Sequence, residues 1–207
     1  VQHIHFGGGT PTIMQPQEFI DLISLLCTRF GLVAGGEIAV EVDPRTLTAE
    51  MAAALGEAGV TRASLGVQSF DPVVQKAINR IQSETQTAEA VSRLRAAGVA
   101  GINFDLIYGL PHQTVKSCID TAEAAVPTRP GRFAVSCYPP FPPFKKHQRL
   151  IDERALPDAA ARAAQAEAIA ETLVAAGYVR IGLDHYALPS DDLALAAKRG
   201  RLRRTCT

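Results

Sequence analysis

The chain has 207 residues, 47% of them hydrophobic, and 21 Lys and Arg balance 21 Asp and Glu. That length supports one sizeable core, and the charge balance gives no overall field towards nucleic acid or an anionic membrane. No apolar run reaches the roughly 20 residues of a membrane helix, and no charged-then-apolar leader opens the sequence, so a cytoplasmic globular protein is the expectation.

Val1 already lies inside a strand-like run, so the sequence reads as a piece of something longer. The run His3-Ile4-His5-Phe6 breaks into Gly7-Gly8-Gly9 and then Thr10-Pro11-Thr12. Glycines after a strand let the backbone approach a ligand closely, and Pro11 holds Thr10 extended. A binding loop and a plain strand-to-helix turn both fit, whereas a P-loop and a Gly-x-Gly-x-x-Gly turn do not. Helical spacing of Phe19, Ile20, Ile23, Leu26 and Phe30 predicts a helix from Pro16 to Phe30, stopped by Gly31. A strand follows from Glu37 to Val42, then a helix from Ala49 to Ala58 capped by Thr48 and ended at Gly59. Val60 to Val67 is the next strand, and Asp71-Pro72 starts a helix. Thr87 with Glu89 is read as opening another, running to Gly98. Ile102 to Tyr108 is strand, Gly109-Leu110-Pro111 a turn, Thr114 to Ala125 helix and Arg132 to Tyr138 strand. Pro139 to Pro143 reads as a stiff linker, and the basic tail Lys198, Arg199, Arg201, Arg203 and Arg204 as a solvated end. Cys27, Cys118, Cys137 and Cys206 lack metal-ligand or disulfide spacing and read as small buried hydrophobes.

Helix and strand alternate, and the strands read as near-continuous apolar runs, which predicts a parallel α/β barrel or open sheet buried on both faces. Polar residues stand at successive strand exits: Gly7 to Thr10, Glu41 and Asp43, Gln68, Asp105, and Tyr138. The carboxyl ends of parallel strands form the ligand crevice of such folds. Asp43 and Asp71 also suit turns before proline, and Arg80 suits a solvated helix residue. Glu41 and Asp105 interrupt strands of Val, Ile, Leu and Phe, where a carboxylate is costly unless paired. Two carboxylates beside a glycine loop suit a ligand bearing amines and hydroxyls.

The segments His5-Phe6-Gly7-Gly8-Gly9-Thr10-Pro11-Thr12, Glu41-Val42-Asp43-Pro44-Arg45 and Gly66-Val67-Gln68-Ser69-Phe70 carry a family resemblance. So do Asn79-Arg80-Ile81-Gln82, Asp105-Leu106-Ile107-Tyr108-Gly109-Leu110-Pro111 and Gly182-Leu183-Asp184-His185-Tyr186-Ala187. Together they resemble the oxygen-independent coproporphyrinogen III oxidases, radical S-adenosylmethionine (SAM) enzymes of haem synthesis. The resemblance implies a partial parallel (β/α)6 TIM-like barrel over residues 1–140, short of its first βα unit, and the start of a small C-terminal α/β region over 141–207. It implies two SAM molecules, Gly8 and Glu41 holding the first, and Gly9, Thr10, Gln68, Arg80, Asp105 and the Pro139 backbone holding the second. A [4Fe-4S] cluster, a porphyrinogen substrate and an electron donor are implied as well, in a monomer that takes no nucleic acid or membrane. The implied reaction removes hydrogen, carbon dioxide and an electron from two propionates in turn, leaving vinyl groups.

The chain departs from the family pattern in three places. The Cys-x-x-x-Cys-x-x-Cys cluster motif belongs N-terminal to Val1, so this chain alone is expected to hold no cluster and to be inactive. The family's Tyr-Ala-His reads Tyr138-Pro139-Pro140, and its Arg-Asn-Phe-x-Gly-Tyr segment survives only as Arg204-Thr205-Cys206. Alternatives are a haem chaperone relative, against which Asp43, Asn79 to Gln82 and Asp184-His185 weigh, a non-enzymatic SAM- or haem-binding module, and a sugar-phosphate barrel. Lys145, Lys146, His147 and Arg149 are either substrate-propionate contacts or a solvated helix start.

Overall fold

A computed structural model describes residues 1–139 and 150–202. The expected sites at Lys145 to Arg149, most of the proline linker, and Arg203 to Thr207 fall outside the described residues. Strands β1 (His3–Phe6), β2 (Glu37–Val42), β3 (Arg62–Gln68), β4 (Gly101–Tyr108), β5 (Arg132–Cys137), β6 (Val179–Ile181) and β7 (His185–Ala187) form one sheet, ordered β1-β2-β3-β4-β5-β7-β6. β1 to β3 pair in parallel, and β7 pairs antiparallel with both β5 and β6. The helices are α1 (Pro16–Phe30), α2 (Ala49–Glu57), α3 (Pro72–Ala77), α4 (Glu84–Ala96), α5 (Val115–Ala125), α6 (Ala159–Ala175) and α7 (Asp192–Lys198). This is the α/β architecture that the alternation of elements predicts.

The chain divides into two compact units, the first made of residues 1–67 and 82–104. Its core sets Phe19 and Ile23 of α1, Val40 of β2, Leu55 of α2, Leu65 of β3 and Leu94 of α4 out of solvent. Phe6 packs on Phe19 with ring centroids 5.4 Å apart. A side chain on Gly56 would strike the Ala97 carbonyl, so α2 needs glycine there to lie against the end of α4. That helix starts a turn earlier than the Thr87 reading placed it. Ser83 caps Gln86 N–H while the Gln86 side chain returns to Ser83 N–H, a capping box, and Thr87 is buried and accepts from Gln82 Nε2 at 2.9 Å.

The second unit comprises residues 68–81 and 105–207. Here α5 packs along α6, and the turn leaving β4 is held by two buried glutamines. Gln165 accepts from Gly109 N–H at 2.9 Å and donates to the Gln113 carbonyl at 2.7 Å. Gln113 accepts from Leu110 N–H and donates to the Ile107 carbonyl, both at 2.9 Å. Each amide thus satisfies backbone groups where the chain leaves β4. At the far end Arg132 pairs with Asp191 at 2.7 Å, and Asp191 also caps Leu193 N–H to begin α7.

The strands differ from the prediction of burial on both faces. Along β3 and β4 buried and half-buried residues alternate strictly until the last residue of β4. Ala63, Leu65 and Val67, and likewise Phe104 and Leu106, are buried, while Arg62, Ser64 and Gln68, and likewise Asn103 and Asp105, line the other face. One face is therefore polar, as a strand bordering a ligand space requires.

Candidate functional site

The eight residues expected at the site divide into two sets, one in each unit. In the first unit Gly8, Gly9, Thr10 and Glu41 gather at the exits of β1 and β2. Gly8 N–H donates to Glu41 Oε2 at 3.1 Å, and His5 Nε2 stands 3.7 Å from Glu41 Oε1. The Glu41 side chain is 42% exposed, so its carboxylate carries no deep burial cost, contrary to the expectation from its apolar strand. Gly7 is glycine because a Cβ would press into Glu41 and His5, and Gly8 because its φ of +86° is left-handed. At Gly9 neither reason applies: a side chain there would meet open space. Thr10 closes the loop by accepting Ile13 N–H at 3.0 Å through its carbonyl. Among the described residues the buried Thr12 hydroxyl has no hydrogen-bond partner, which adds Thr12 to this set, two positions beyond the expected contact at Thr10.

Arg62 Nε donates to Glu37 Oε2 at 3.0 Å, and Asn103 Nδ2 to Ser64 Oγ at 2.6 Å. Asp43 forms a bidentate pair with Arg45 at 2.7 to 3.2 Å and accepts Arg45 N–H, so it belongs to the turn, as its place before Pro44 suggests.

In the second unit Gln68 ends β3, Arg80 follows the end of α3 and Pro139 lies just past β5, whereas Asp105 is the fifth of the eight residues of β4 and so stands within the strand, not at the exit where it was expected. Gln68 closes β3 with φ of +64°, and its side-chain Oε1 is buried without a hydrogen-bond partner among the described residues. The loop after it is fixed: Gln75 Nε2 donates to the Ser69 carbonyl at 2.9 Å, Phe70 N–H to Thr121 Oγ1 at 3.2 Å, and Asp71 caps Val73 and Val74. Arg80 follows Asn79, itself at φ of +53°, and its N–H returns to the Gln75 carbonyl at 2.8 Å, closing the end of α3. Asp105 is half-buried on β4. Pro139 is exposed, one residue beyond Tyr138, whose N–H donates to the Tyr108 carbonyl at 2.8 Å. Burial, then the neighbouring Cys137, pushes the Tyr108 hydroxyl above its ordinary pKa, and burial does the same for Tyr138.

A left-handed non-glycine residue with an unsatisfied buried amide costs stability on two counts, and such costs concentrate at binding sites. The chemistry offered is a set of carboxylate and amide acceptors, glycine N–H donors and a guanidinium fork. Among the described residues no group of three His, Cys, Asp or Glu could hold a metal ion, and no helix is long and apolar enough to cross a membrane.

Residues 1–125 match the radical SAM superfamily. The chain belongs to that superfamily. It is 60% identical over 204 residues to an oxygen-independent coproporphyrinogen III oxidase of Bradyrhizobium diazoefficiens, an alignment covering 99% of this chain and 45% of that one. It is 58% identical over 177 residues to an uncharacterized protein of Sinorhizobium fredii, covering 86% of this chain and 68% of the relative. The solved coproporphyrinogen III oxidase of Escherichia coli, a radical SAM enzyme, superposes with a TM-score of 0.94 at 36% identity, over 99% of this chain and 47% of that one. The chain thus spans less than half the length of the two oxidases it resembles.

Proposed function

We propose that this chain supplies SAM-binding residues of an oxygen-independent coproporphyrinogen III oxidase. The observation that carries this is Gln68: strained backbone and an orphaned buried amide oxygen at a strand exit, in a chain 60% identical to such an oxidase. SAM fits the groups present. In the first unit Gly9 and Thr10 offer N–H donors to a carboxylate, while Glu41, steadied by Gly8 N–H and His5, accepts from an ammonium or hydroxyl. In the second, Arg80 forks a carboxylate, Gln68 and Asp105 accept from ribose hydroxyls or an ammonium, and the Pro139 carbonyl is a further acceptor. When bound and given an electron from an external donor, SAM would supply hydrogen abstraction from a substrate propionate; these residues would orient it and exclude water. The described residues do not fit an iron-sulfur cluster, so no step is assigned to one. The reading extends to residues 1–140 as barrel and 141–207 as the start of a C-terminal region, to a cytoplasmic monomer, and to an external electron donor.

The test compares Asp105→Ala with Asp105→Asn, measuring SAM binding and urea unfolding on the same samples. Truncating a charged ligand contact costs about 2 to 5 kcal/mol of binding. Unfolding should change by less than about 1 to 2 kcal/mol. Early unfolding with unchanged SAM affinity would make Asp105 a structural residue and remove it from the site.

A further inference from the structure

The Asp184-His185 pair in the second unit is left unused by that reading. His185 opens β7 with its Nδ1 2.9 Å from Asp184 Oδ1, the two side chains being 44% and 37% exposed. A carboxylate only accepts, so Nδ1 carries the hydrogen, and in the neutral ring Nε2 keeps its lone pair. The Asp184 backbone is itself fixed, its carbonyl accepting Val135 N–H at 2.7 Å.

Strand register places this ring opposite Asp105. Ala134 of β5 pairs with His185 of β7. β4 and β5 are neighbours joined through α5, a crossover that makes them parallel, and the bond from Tyr138 N–H to the Tyr108 carbonyl sets Tyr108 beside Cys137. Three residues back along both strands, Asp105 stands beside Ala134. Burial agrees with this register: Leu106 pairs with Val135 and Phe133 with Tyr186, all buried, whereas Asp105, Ala134 and His185 are all half-buried on the other face. The row Asp105, Ala134, His185 therefore crosses three strands, with two acceptors about 9.5 Å apart, two strand spacings, over a floor of one methyl group.

We propose that His185, braced by Asp184, is a ligand contact: its Nε2 accepts a hydrogen bond from a hydroxyl or amino group of the adenosyl ligand that Asp105 holds, with that ligand lying over Ala134. This rests on the SAM reading of Asp105. A ligand bearing donors at both ends fits the width of the row, the small floor leaves room for it, and the fixed tautomer sets Nε2 as the acceptor.

The test measures equilibrium dialysis of radiolabelled SAM against the 207-residue chain, with thermal unfolding of each variant. His185→Phe should weaken binding about 3- to 10-fold, the span of one neutral hydrogen bond, while His185→Gln, which restores an acceptor, should stay within about 3-fold of the parent. Ala134→Leu, which fills the floor between the two acceptors and leaves both in the sequence, should abolish binding, and all three should unfold within a few degrees of the parent. If Asp105→Asn weakens binding while His185→Phe and Ala134→Leu do not, the inference fails and the SAM reading stands. A His185→Phe loss that comes with early unfolding and is not recovered by glutamine assigns His185 to the fold and likewise overturns it. If the unsubstituted chain binds no SAM, both fall.

Discussion

Gly7 and Glu41 compete for one space: a Cβ built on Gly7 would lie 2.7 Å from Glu41 Oε1 and 2.9 Å from His5 Nε2. The glycine is thus the seat of the carboxylate that receives Gly8 N–H. Gly7→Ala should push Glu41 off that amide. Since both displaced groups are the far ends of flexible side chains, unfolding should shift by less than about 1 kcal/mol. SAM affinity should fall about 3- to 10-fold, the scale of one hydrogen-bonded contact, as read by equilibrium dialysis. An unchanged affinity would detach Glu41 from the ligand.

Most elements were legible because their ends are marked chemically. Pro16 and Gly31 bracket α1, Thr48 caps α2, and Asp71-Pro72 starts α3 where expected. The start of α4 was misplaced, although the signal was present: Ser83-Glu84-Thr85-Gln86 is a capping box, and Thr87, a good cap in isolation, is instead taken by the core and by Gln82. The polar face of β3 and β4 was also readable, since Arg62, Ser64 and Gln68, and then Asn103 and Asp105, recur at even spacing, but the glycine and apolar residues between them hide the period. The left-handed backbone of Gln68 could not have been read, because glutamine carries no preference for that region and only the surrounding loop enforces it.

The cysteines do not share one fate, contrary to the expectation that all are buried. Cys118 is buried, Cys27 half-buried and Cys137 exposed at the end of β5. Burial pushes the Cys118 thiol up to about 12. At pH 8 only about one molecule in ten thousand would then carry the reactive thiolate. Cys206 lies outside the described residues, so the measurement is made in a Cys206→Ser background with an aromatic disulfide reagent. Cys137 should react first and Cys118 only with unfolding. Adding Cys137→Ser should delete the fast phase, and a fast phase that persists would show that another thiol is open.

Gln68 offers the sharpest separation of stability from binding. Its φ of +64° costs about 1 to 2 kcal/mol for a residue with a Cβ, and its buried Oε1, lacking a partner, adds about 1 to 3 kcal/mol. Glycine at this position removes both costs and loses about 0.5 to 1 kcal/mol through the freer unfolded chain. Gln68→Gly should therefore stabilise the fold by about 1 kcal/mol or more, seen as a higher urea midpoint at unchanged slope. The same substitution removes an acceptor proposed to meet SAM, so affinity should fall about 3- to 10-fold. Gln68→Ala keeps the backbone strain, and it should lose the same affinity with a smaller gain in stability. A Gln68→Gly variant less stable than the parent would mean that the glutamine serves the fold and that its strained turn is held for packing, not for a ligand.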